Sequence, residues 1–479
     1  MLKKGHTRKG KTFNIYKDPK PLNVITEEQL SRFLISIVRK RTSRTPFSVK
    51  SVVKFNDFYN KVNNFLLNTI YKLEVEGEWA KLVGSYAEKT CIKNSDVDFI
   101  KSLGPVFCDT DHIEPGRLRA FLVQTNDEQI PPGCCWLRLF DQRTDYYLVT
   151  GCKERNGLEW VLHKGEVAGD FKCESTEIDG HTHYPYETKM DKVICYKPAL
   201  VRRKDGFQYF SSKKFSEYHS RAGLTRYKTL NKLLPNWSFH GPANTQKYFN
   251  TFKIDVTISL TCLNSWPDSA HEWTIRERPN KWPTEELVKD ILQSGFDVVA
   301  IPSKMTLTDD NDIEWRLSFV SAIEKLISTF NECQRSCYII LKVITKEFIE
   351  PQYPQEDLMT SFIMKNLVFW IIEETESFIW EERNLIYCLR LCFRKLSSWI
   401  KDGYCPHYFI PKYNLFRTKL EDMNKLGFRK WLLENLERDW AILLHCTTFK
   451  KVKKMWENAS YCELKLASAL KSVEDKTLL

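Results

Sequence analysis

Residues 82–100, LVGSYAEKTCIKNSDVDFI, join a turn to an acidic strand. Side chains alternate between the two faces of a strand, so Val97 and Phe99 are predicted to point into the core. Asp96 and Asp98 then share the opposite face. Two carboxylates one strand step apart are suited to bind hard divalent cations through oxygen. An Asp-x-Asp pair also occurs on ordinary solvated strands, so the surrounding residues decide between the two interpretations.

Two further features favour a phosphoryl-transfer site. Gly84 permits a tight turn, and Ser85 offers a hydroxyl and a backbone N–H at the predicted N-terminus of a helix, where phosphate binds readily. Asp255 lies in the segment FKIDVTISL (252–260), in which apolar and polar residues alternate, so its carboxylate is also predicted on the polar face of a strand. Three strand-borne carboxylates are the minimum set for a site with two metal ions.

The composition is that of a folded protein with reduced thiols. The 479 residues are 42% hydrophobic and 13% aromatic, which is enough for a sizeable core in two or three domains. The chain has no apolar run of membrane-spanning length, and its first residues, MLKKGHTRKGK, lack the apolar segment of a signal peptide. We therefore expect no secretion and no membrane span. The 15 cysteines are scattered singly, which favours the cytosol or nucleus, and we predict a cytoplasmic location.

Positive charge is concentrated in two stretches. Residues 1–60 contain 14 Lys and Arg against 4 Asp and Glu, a net charge of +10, while the whole chain has +11. Residues 189–232 contain 12 basic residues against 3 acidic ones. Such patches indicate a polyanionic partner, either nucleic acid or an anionic membrane surface. The alternative is a solvated face beside a disordered tail.

The pattern along the chain predicts an α+β fold with three parts. Residues 1–25 are a basic flexible tail, and residues 26–305 are a core of mixed sheet and long N-terminal helices. Residues 306–479 are an all-helical C-terminal lobe, in which the spacing predicts a first helix over 315–330. The N-terminal helices have one apolar face and one basic face. The basic residues are Arg39, Lys40, Arg41, Arg44, Lys50, Lys54 and Lys61.

Several short motifs occur in an order that resembles a known family. They are the Gly-Ser turn with its acid pair, GPANT (241–245), IDVT (254–257), SWP (265–267), WRLSF (315–319), IEK (323–325), TSF (360–362) with Lys365, and YFIPKYNLF (408–416). Together they resemble the Mab-type nucleotidyltransferases, which include cyclic GMP-AMP synthase and the cGAS-like receptors. The resemblance runs from about residue 27 to 440 and implies a nucleotidyltransferase sheet followed by a helical lobe. Because Asp98 and Asp255 are farther apart than in the vertebrate members, it also implies a long insertion near 108–195.

The resemblance also implies a role for each matching residue. Asp96, Asp98 and Asp255 would hold two Mg or Mn ions. The other matching positions would bind ATP and GTP: Gly84 and Ser85 at the triphosphate, Arg316, Ser318 and Glu324 at the acceptor purine, Lys342 at the phosphates, and Ser361 with Phe362 stacked on a base. Read without the family, Arg316 is equally compatible with an ion pair between lobes, Lys342 with a surface lysine, and Phe362 with an ordinary core residue.

The implied activity is synthesis of a cyclic dinucleotide of the cyclic GMP-AMP type from ATP and GTP, in innate antiviral immunity. A downstream cyclic-dinucleotide receptor would read the product. The zinc-binding thumb of the vertebrate enzyme has no counterpart here, because residues 326–341 offer Cys333 and Cys337 but no histidine, and two ligands do not close a zinc site. Zinc is therefore not expected, and a double-stranded RNA activator is favoured over DNA. The alternatives are a scaffold protein without catalysis and a linear oligonucleotide synthase.

Overall fold

The structure is a computed structural model. It describes residues 26–42, 80–92, 95–111, 113, 119–141, 176–178, 181–183, 200–216, 237–240, 243–248, 252–301, 312–354, 358–417, 419–454 and 457–458. The predicted tail lies outside the described residues, as do Arg44, Lys50, Lys54 and Lys61. The predicted α+β class is confirmed: a mixed sheet is followed by a helical C-terminal region.

The strands are β1 (Lys81–Val83), β2 (Val97–Pro105), β3 (Arg119–Gln124), β4 (Cys134–Asp141), β5 (Thr176–Ile178), β6 (His181–His183), β7 (Leu200–Arg202), β8 (Gln208–Phe210), β9 (Trp237–His240), β10 (Ala243–Tyr248), β11 (Phe252–Cys262), β12 (Phe296–Val299) and β13 (Glu314–Ser318). The main sheet has the order β1-β2-β11-β12-β13-β4-β8-β7, with β3 paired to β4, β10 to β11, and β9 to β10. β2 and β11 run parallel. The other named strand pairs are antiparallel.

The α-helices are α1 (Glu27–Thr42), α2 (Gly84–Ala87), α3 (His271–Ile275), α4 (Glu285–Ser294), α5 (Val320–Ser328), α6 (Glu332–Ile344), α7 (Ser361–Glu374), α8 (Leu385–Asp402), α9 (Leu420–Lys425) and α10 (Phe428–Leu436). A π-helical turn, Thr345–Ile349, follows α6. Short 3-10 helices lie at Asp268–Ala270, Ser377–Ile379, Glu382–Asn384, Asp439–His445 and Thr447–Phe449. Among the described residues, no helix is long and apolar enough to cross a membrane.

One predicted boundary is corrected by the sheet. The segment 315–330 was predicted as one helix, but its beginning belongs to β13 and only Val320–Ser328 is helical. Trp315 and Leu317 are buried while Arg316 between them is exposed, which is the two-residue period of a strand. The described part of the predicted insertion near 108–195 includes β4, which lies in the main sheet between β13 and β8, and β3, which pairs with β4.

The N-terminal helix α1 packs on the helical lobe. Leu30, Leu34 and Ile35 are almost completely buried in the same apolar cluster as the residues of α6 and α8. Ser31 accepts a hydrogen bond from the backbone N–H of Ile386 at 3.1 Å, which satisfies a donor at the beginning of α8. Helix α1 is therefore part of the apolar core that also contains residues of the sheet and of the helical lobe.

Candidate functional site

The centre of the candidate site is a pair of carboxylates on the two parallel strands. Asp98 of β2 lies opposite Asp255 of β11 in the register. Their neighbours on the other face, including Phe99 and Ile254, are completely buried in a separate apolar cluster. Because the side-chain period of a strand is two, burial of that apolar set fixes both aspartates on the opposite face. The predicted arrangement of these two residues is therefore present.

The electrostatics of Asp98 indicate an excess of negative charge at the acid pair. The pKa of Asp98 is raised to about 7, mainly by desolvation and also by the nearby carboxylates of Asp255 and Asp96, while Lys342 and Lys365 oppose the shift. Crowded, desolvated carboxylates match the charge requirements of a divalent cation. Within the described ranges, however, no three His, Cys, Asp or Glu side chains are arranged to hold a metal ion. Asp96 contributes to the field without completing such a cluster.

The Gly-Ser turn approaches this pair closely. Gly84 has a φ of +66°, and a Cβ atom at this position would overlap with the carboxylate of Asp98. A residue without a side chain is therefore required both by the backbone conformation and by the neighbour. Helix α2 begins at Gly84, and Ser85 lies half-buried in its first turn. The structure thus places the predicted phosphate-binding turn directly beside Asp98.

A buried charge network connects this turn to the helical lobe. Lys365 of α7 forms an ion pair of 2.5 Å with Glu88, whose side chain is 3% exposed. Lys342 of α6 is also buried, and desolvation, with help from Lys365, lowers its pKa to about 8. Lys342 is therefore not the surface lysine that its sequence also allowed. Glu88 was missed because nothing in its local pattern indicates a partner 277 positions away.

The polar face of the sheet continues from the acid pair to Arg316. Thr261 of β11 lies opposite Asp297 of β12, and Asp297 lies opposite Ser318 of β13, so these side chains share the face of Asp255. The carboxylate of Asp297 accepts a hydrogen bond of 2.6 Å from Thr261 Oγ1, and desolvation raises its pKa. This buried carboxylate was not predicted, although a single acidic residue among the apolar residues of FDVV at 296–299 is the local signal.

Arg316 lies in a concave part of this face. The residue is exposed, yet the protein around it lowers its pKa by desolvation. A side chain that is open to water and still surrounded by protein lies in a cleft rather than on a convex surface. Glu324, the third predicted purine-binding residue, instead forms an ion pair of 2.9 Å with Lys81 of β1. Arg316 and Ser318 therefore share one face, whereas Glu324 has a partner within the chain.

Phe362 borders the same cleft. Its ring is 37% exposed, so it is not the ordinary core residue that the sequence also allowed. The ring centroid lies 5.7 Å from that of His407, which in turn stacks on Tyr413 at 5.7 Å. The charge of Arg316 contributes to lowering the pKa of His407, so Arg316 lies near these aromatic rings. Ser361 is half-buried in the first turn of α7. His407 and Tyr413 were not predicted as site residues.

His407 gives a prediction on pH dependence. Burial, and secondarily Arg316, lowers its pKa to about 3, and its Nδ1 accepts hydrogen bonds of 3.2 Å from the backbone N–H groups of Phe409 and Ile410. An unfolded histidine gains its proton near pH 6.5, so stability is lost as the pH falls from about 6.5 towards 3. His407→Asn keeps an acceptor and cannot titrate. Between pH 7 and pH 5, we expect the free energy of unfolding of this variant to fall by about 2 kcal/mol less than that of the wild type.

The measurement is urea unfolding at both pH values. The control is His271→Asn, at an exposed histidine of α3. An equal loss of stability in wild type and His407→Asn would show that this histidine does not cause the acid sensitivity.

The predicted nucleic-acid face is only partly described. Arg39 forms ion pairs with Glu332 at 2.8 Å and with Glu382 at 2.5 Å, both in the helical lobe. Its guanidinium therefore helps to attach α1 to the lobe, which sequence reasoning did not foresee. Lys40 is exposed on the same helix, and the side chain of Arg41 lies outside the described residues.

Comparison with known proteins supports the fold. Residues 224–329 match the family model of the Mab-21 protein nucleotidyltransferase domain, and residues 333–430 match that of the Mab-21 protein HhH/H2TH-like domain. Proteins named "Protein mab-21-like" are similar to the chain. The one from Drosophila melanogaster is 27% identical over 35% of this chain and 46% of its own length. Those from Aedes aegypti and Anopheles gambiae are 26% and 27% identical, each over 44% of this chain and 57% of their own length.

The chain thus spans about half the length of the curated relatives it matches. The first match covers β11 to β13 with Asp255 and Arg316, and the second covers α6, α7 and α8 with Lys342 and Phe362. Residues 224–329 are therefore similar to a Mab-21 nucleotidyltransferase domain, and residues 333–430 are similar to the helical domain of the same proteins.

Proposed function

We propose that the chain is a metal-dependent nucleotidyltransferase that joins ATP and GTP into a cyclic dinucleotide when it binds a nucleic-acid duplex, RNA rather than DNA. The observation that carries the proposal is the register of Asp98 and Asp255 on adjacent parallel strands, beside a glycine turn that leaves room for the carboxylate. The similarity of residues 224–329 to a nucleotidyltransferase domain supports the reaction class. The cyclic product, the antiviral role and the cytoplasmic location belong to the proposal and come from the resemblance.

Each part of the site has a task in this reaction. A divalent cation, Mg or Mn, held by Asp98 and Asp255 would neutralise charge on the triphosphate. The backbone N–H groups at the beginning of α2, with the Ser85 hydroxyl, would bind phosphate oxygens. Lys342 and Lys365 add positive charge from the helical lobe. Phosphoryl transfer depends mainly on such positioning and charge stabilisation, because little covalent chemistry falls to the protein.

The cleft at Arg316 is suited to a purine base. Its wall contains a guanidinium, which donates to base acceptors, and the exposed ring of Phe362, which offers a stacking face. The cleft lies on the same sheet face as the acid pair, so a nucleotide could place its base at Arg316 and its reacting end near Asp255. This arrangement supports nucleotide binding across the face of the sheet.

Phe362→Ala tests the stacking role. We expect nucleotide binding to weaken by roughly 1 to 3 kcal/mol, the scale of stacking between a base and an aromatic ring. Because the ring is partly exposed, the melting temperature should change little. The measurements are nucleotide titration and thermal unfolding. Phe378→Ala is the matched control, since Phe378 is 69% exposed and lies in a short 3-10 helix of the lobe. A lower melting temperature with unchanged nucleotide affinity would assign Phe362 to packing.

A catalytically silent scaffold is the second candidate. It is favoured by the absence of a three-residue metal cluster among the described residues. One experiment separates the two: the purified full chain is incubated with labelled ATP and GTP, Mg or Mn, and either an RNA duplex, a DNA duplex or no nucleic acid. Chromatography of the products should show a cyclic dinucleotide in the RNA reaction. A linear oligonucleotide would indicate a different synthase, and no product under any condition would favour the scaffold.

A further inference from the structure

The hairpin at one end of the main sheet is a basic and aromatic surface outside the candidate site. Strands β7 and β8 are joined by the turn of residues 203–207, and β8 pairs with β4 through Tyr209 and Arg138. The hairpin lies within the second basic stretch of the sequence, residues 189–232. Its position in the sheet gives that stretch a defined surface.

Two arginines of this surface stack on aromatic rings, with different consequences. The guanidinium of Arg203 lies 3.9 Å from the ring centroid of Trp136, which is buried, and Arg203 also donates to Gln129 at 2.9 Å. Arg203 therefore covers a small apolar cluster. The guanidinium of Arg138 lies 4.7 Å from the ring centroid of Phe207, which is 49% exposed. This second pair presents a flat aromatic ring and a cation to solvent.

The solvent-exposed side chains next to Phe207 are mainly cationic. Arg202 and Lys204 are exposed. Asp205 is the acidic residue of the turn, and its carboxylate accepts hydrogen bonds from the backbone N–H of Phe207 at 2.9 Å and from the Tyr209 hydroxyl at 2.8 Å. Because Asp205 is directed onto the hairpin itself, the outward groups are mainly the cations and the aromatic ring.

We propose that this hairpin binds single-stranded nucleic acid, with a base stacked on Phe207 beside Arg138 and phosphates bound by Arg202 and Lys204. Exposed aromatic rings flanked by cations are typical of surfaces that bind single-stranded nucleic acid. Each base can stack on a ring, and each phosphodiester linkage has a negative charge that a cation can bind. In a duplex the bases are already stacked on one another, so the ring of Phe207 would have no partner. The proposal rests on the proposed function only in taking nucleic acid as the ligand.

The position of the hairpin adds a geometric argument. Arg316 lies opposite Cys134 in the pairing of β13 with β4, and Arg138 follows on the same face of β4 by strand alternation. Arg138 is opposite Tyr209 in β8. A base stacked on Phe207 beside Arg138 would therefore lie on the sheet face that contains the nucleotide cleft, for example in the unpaired end of an RNA duplex. Arg202 lies opposite Gln208, on the other face of the hairpin, so its phosphate contact would come where the strand passes over the turn.

Fluorescence anisotropy with the full chain tests the proposal directly. The probes are a labelled single-stranded RNA of about 12 nucleotides, a DNA of the same sequence, and a blunt RNA duplex. We expect Phe207→Ala to weaken binding of the single strands by about tenfold and to leave the blunt duplex unchanged. Phe378→Ala, at another exposed phenylalanine, is the matched control and should bind like the wild type. Comparing the RNA with the DNA shows which single strand is preferred.

Charge variants provide the second readout. Arg202→Gln combined with Lys204→Gln should reduce the slope of log K against log salt by about 1.4 for single strands, because each lost phosphate contact accounts for about 0.7. Lys401→Gln combined with Lys430→Gln, two exposed lysines of the helical lobe, should leave the slope unchanged.

Two results would overturn the proposal. One is wild-type affinity of Phe207→Ala for both single strands, and the other is an equal loss on the blunt duplex, which would make the hairpin a duplex site. Neither measurement depends on nucleotide synthesis. A chain that makes no product therefore contradicts the proposed function without affecting this result.

Discussion

Asp98→Asn and Asp255→Asn each remove product formation by several orders of magnitude in the nucleotide assay, if the acid pair holds the catalytic cation. The amide keeps the shape of the side chain but removes the charge that binds the ion, so the phosphates lose their counter-charge in the transition state. The fold should remain intact. Each substitution also removes one of two crowded carboxylates, so the melting temperature should stay the same or rise.

The control for this pair is Asp290→Asn. Asp290 is an exposed residue of α4 that forms an ion pair with Lys325. This variant should retain wild-type synthesis. Wild-type turnover in either Asp98→Asn or Asp255→Asn would contradict the metal assignment, and a large loss of stability would show instead that the carboxylates hold the sheet together.

Glu373→Gln is expected to destabilise the protein by about 3 to 5 kcal/mol, the cost of breaking a buried ion pair. The carboxylate of Glu373 is almost completely buried and accepts hydrogen bonds from Arg276 at 3.0 Å and from the Tyr408 hydroxyl at 2.5 Å. Arg278 lies 3.6 Å away. Without the carboxylate, the largely buried guanidinium of Arg278 loses this counter-charge, and Arg276 is left with its ion pair to Glu272. Urea unfolding measures the difference.

The adjacent residue provides the control for that experiment. Glu374 forms an ion pair of 2.6 Å with Lys395, but its side chain is 42% exposed. Exposed pairs of this kind contribute about 0 to 1 kcal/mol, so Glu374→Gln should unfold nearly like the wild type. Equal effects of the two substitutions would mean that burial does not govern the strength of these ion pairs.

The sequence predicted the parts of the site that follow from local alternation. The period of two around Asp98 and Asp255 indicated which face each carboxylate occupies, and the glycine before Ser85 indicated the turn. Both strands have one strongly apolar face, and such strands have little freedom in register. The α+β class and the helical C-terminal region were predicted for the same reason, from periodicity over long segments.

The parts that were missed depend on contacts between distant residues. Arg39 was predicted on a nucleic-acid face because its helix is basic, but its acidic partners Glu332 and Glu382 lie about 300 positions away. The start of the helix predicted over 315–330 was wrong because a short buried strand followed directly by an amphipathic helix reads as one apolar segment. Such pairings have no local signature in a single sequence.

The parallel pairing of β2 with β11 also has a kinetic consequence. Asp98 and Asp255 are 157 positions apart, and bringing such distant strands together costs loop entropy before their contacts contribute any stability. Contacts of this range slow folding. During synthesis the acid pair cannot assemble until β11, which ends at Cys262, has left the ribosome. A nascent chain that stops before Asp255 therefore has the Gly-Ser turn and Asp98 but no acid pair.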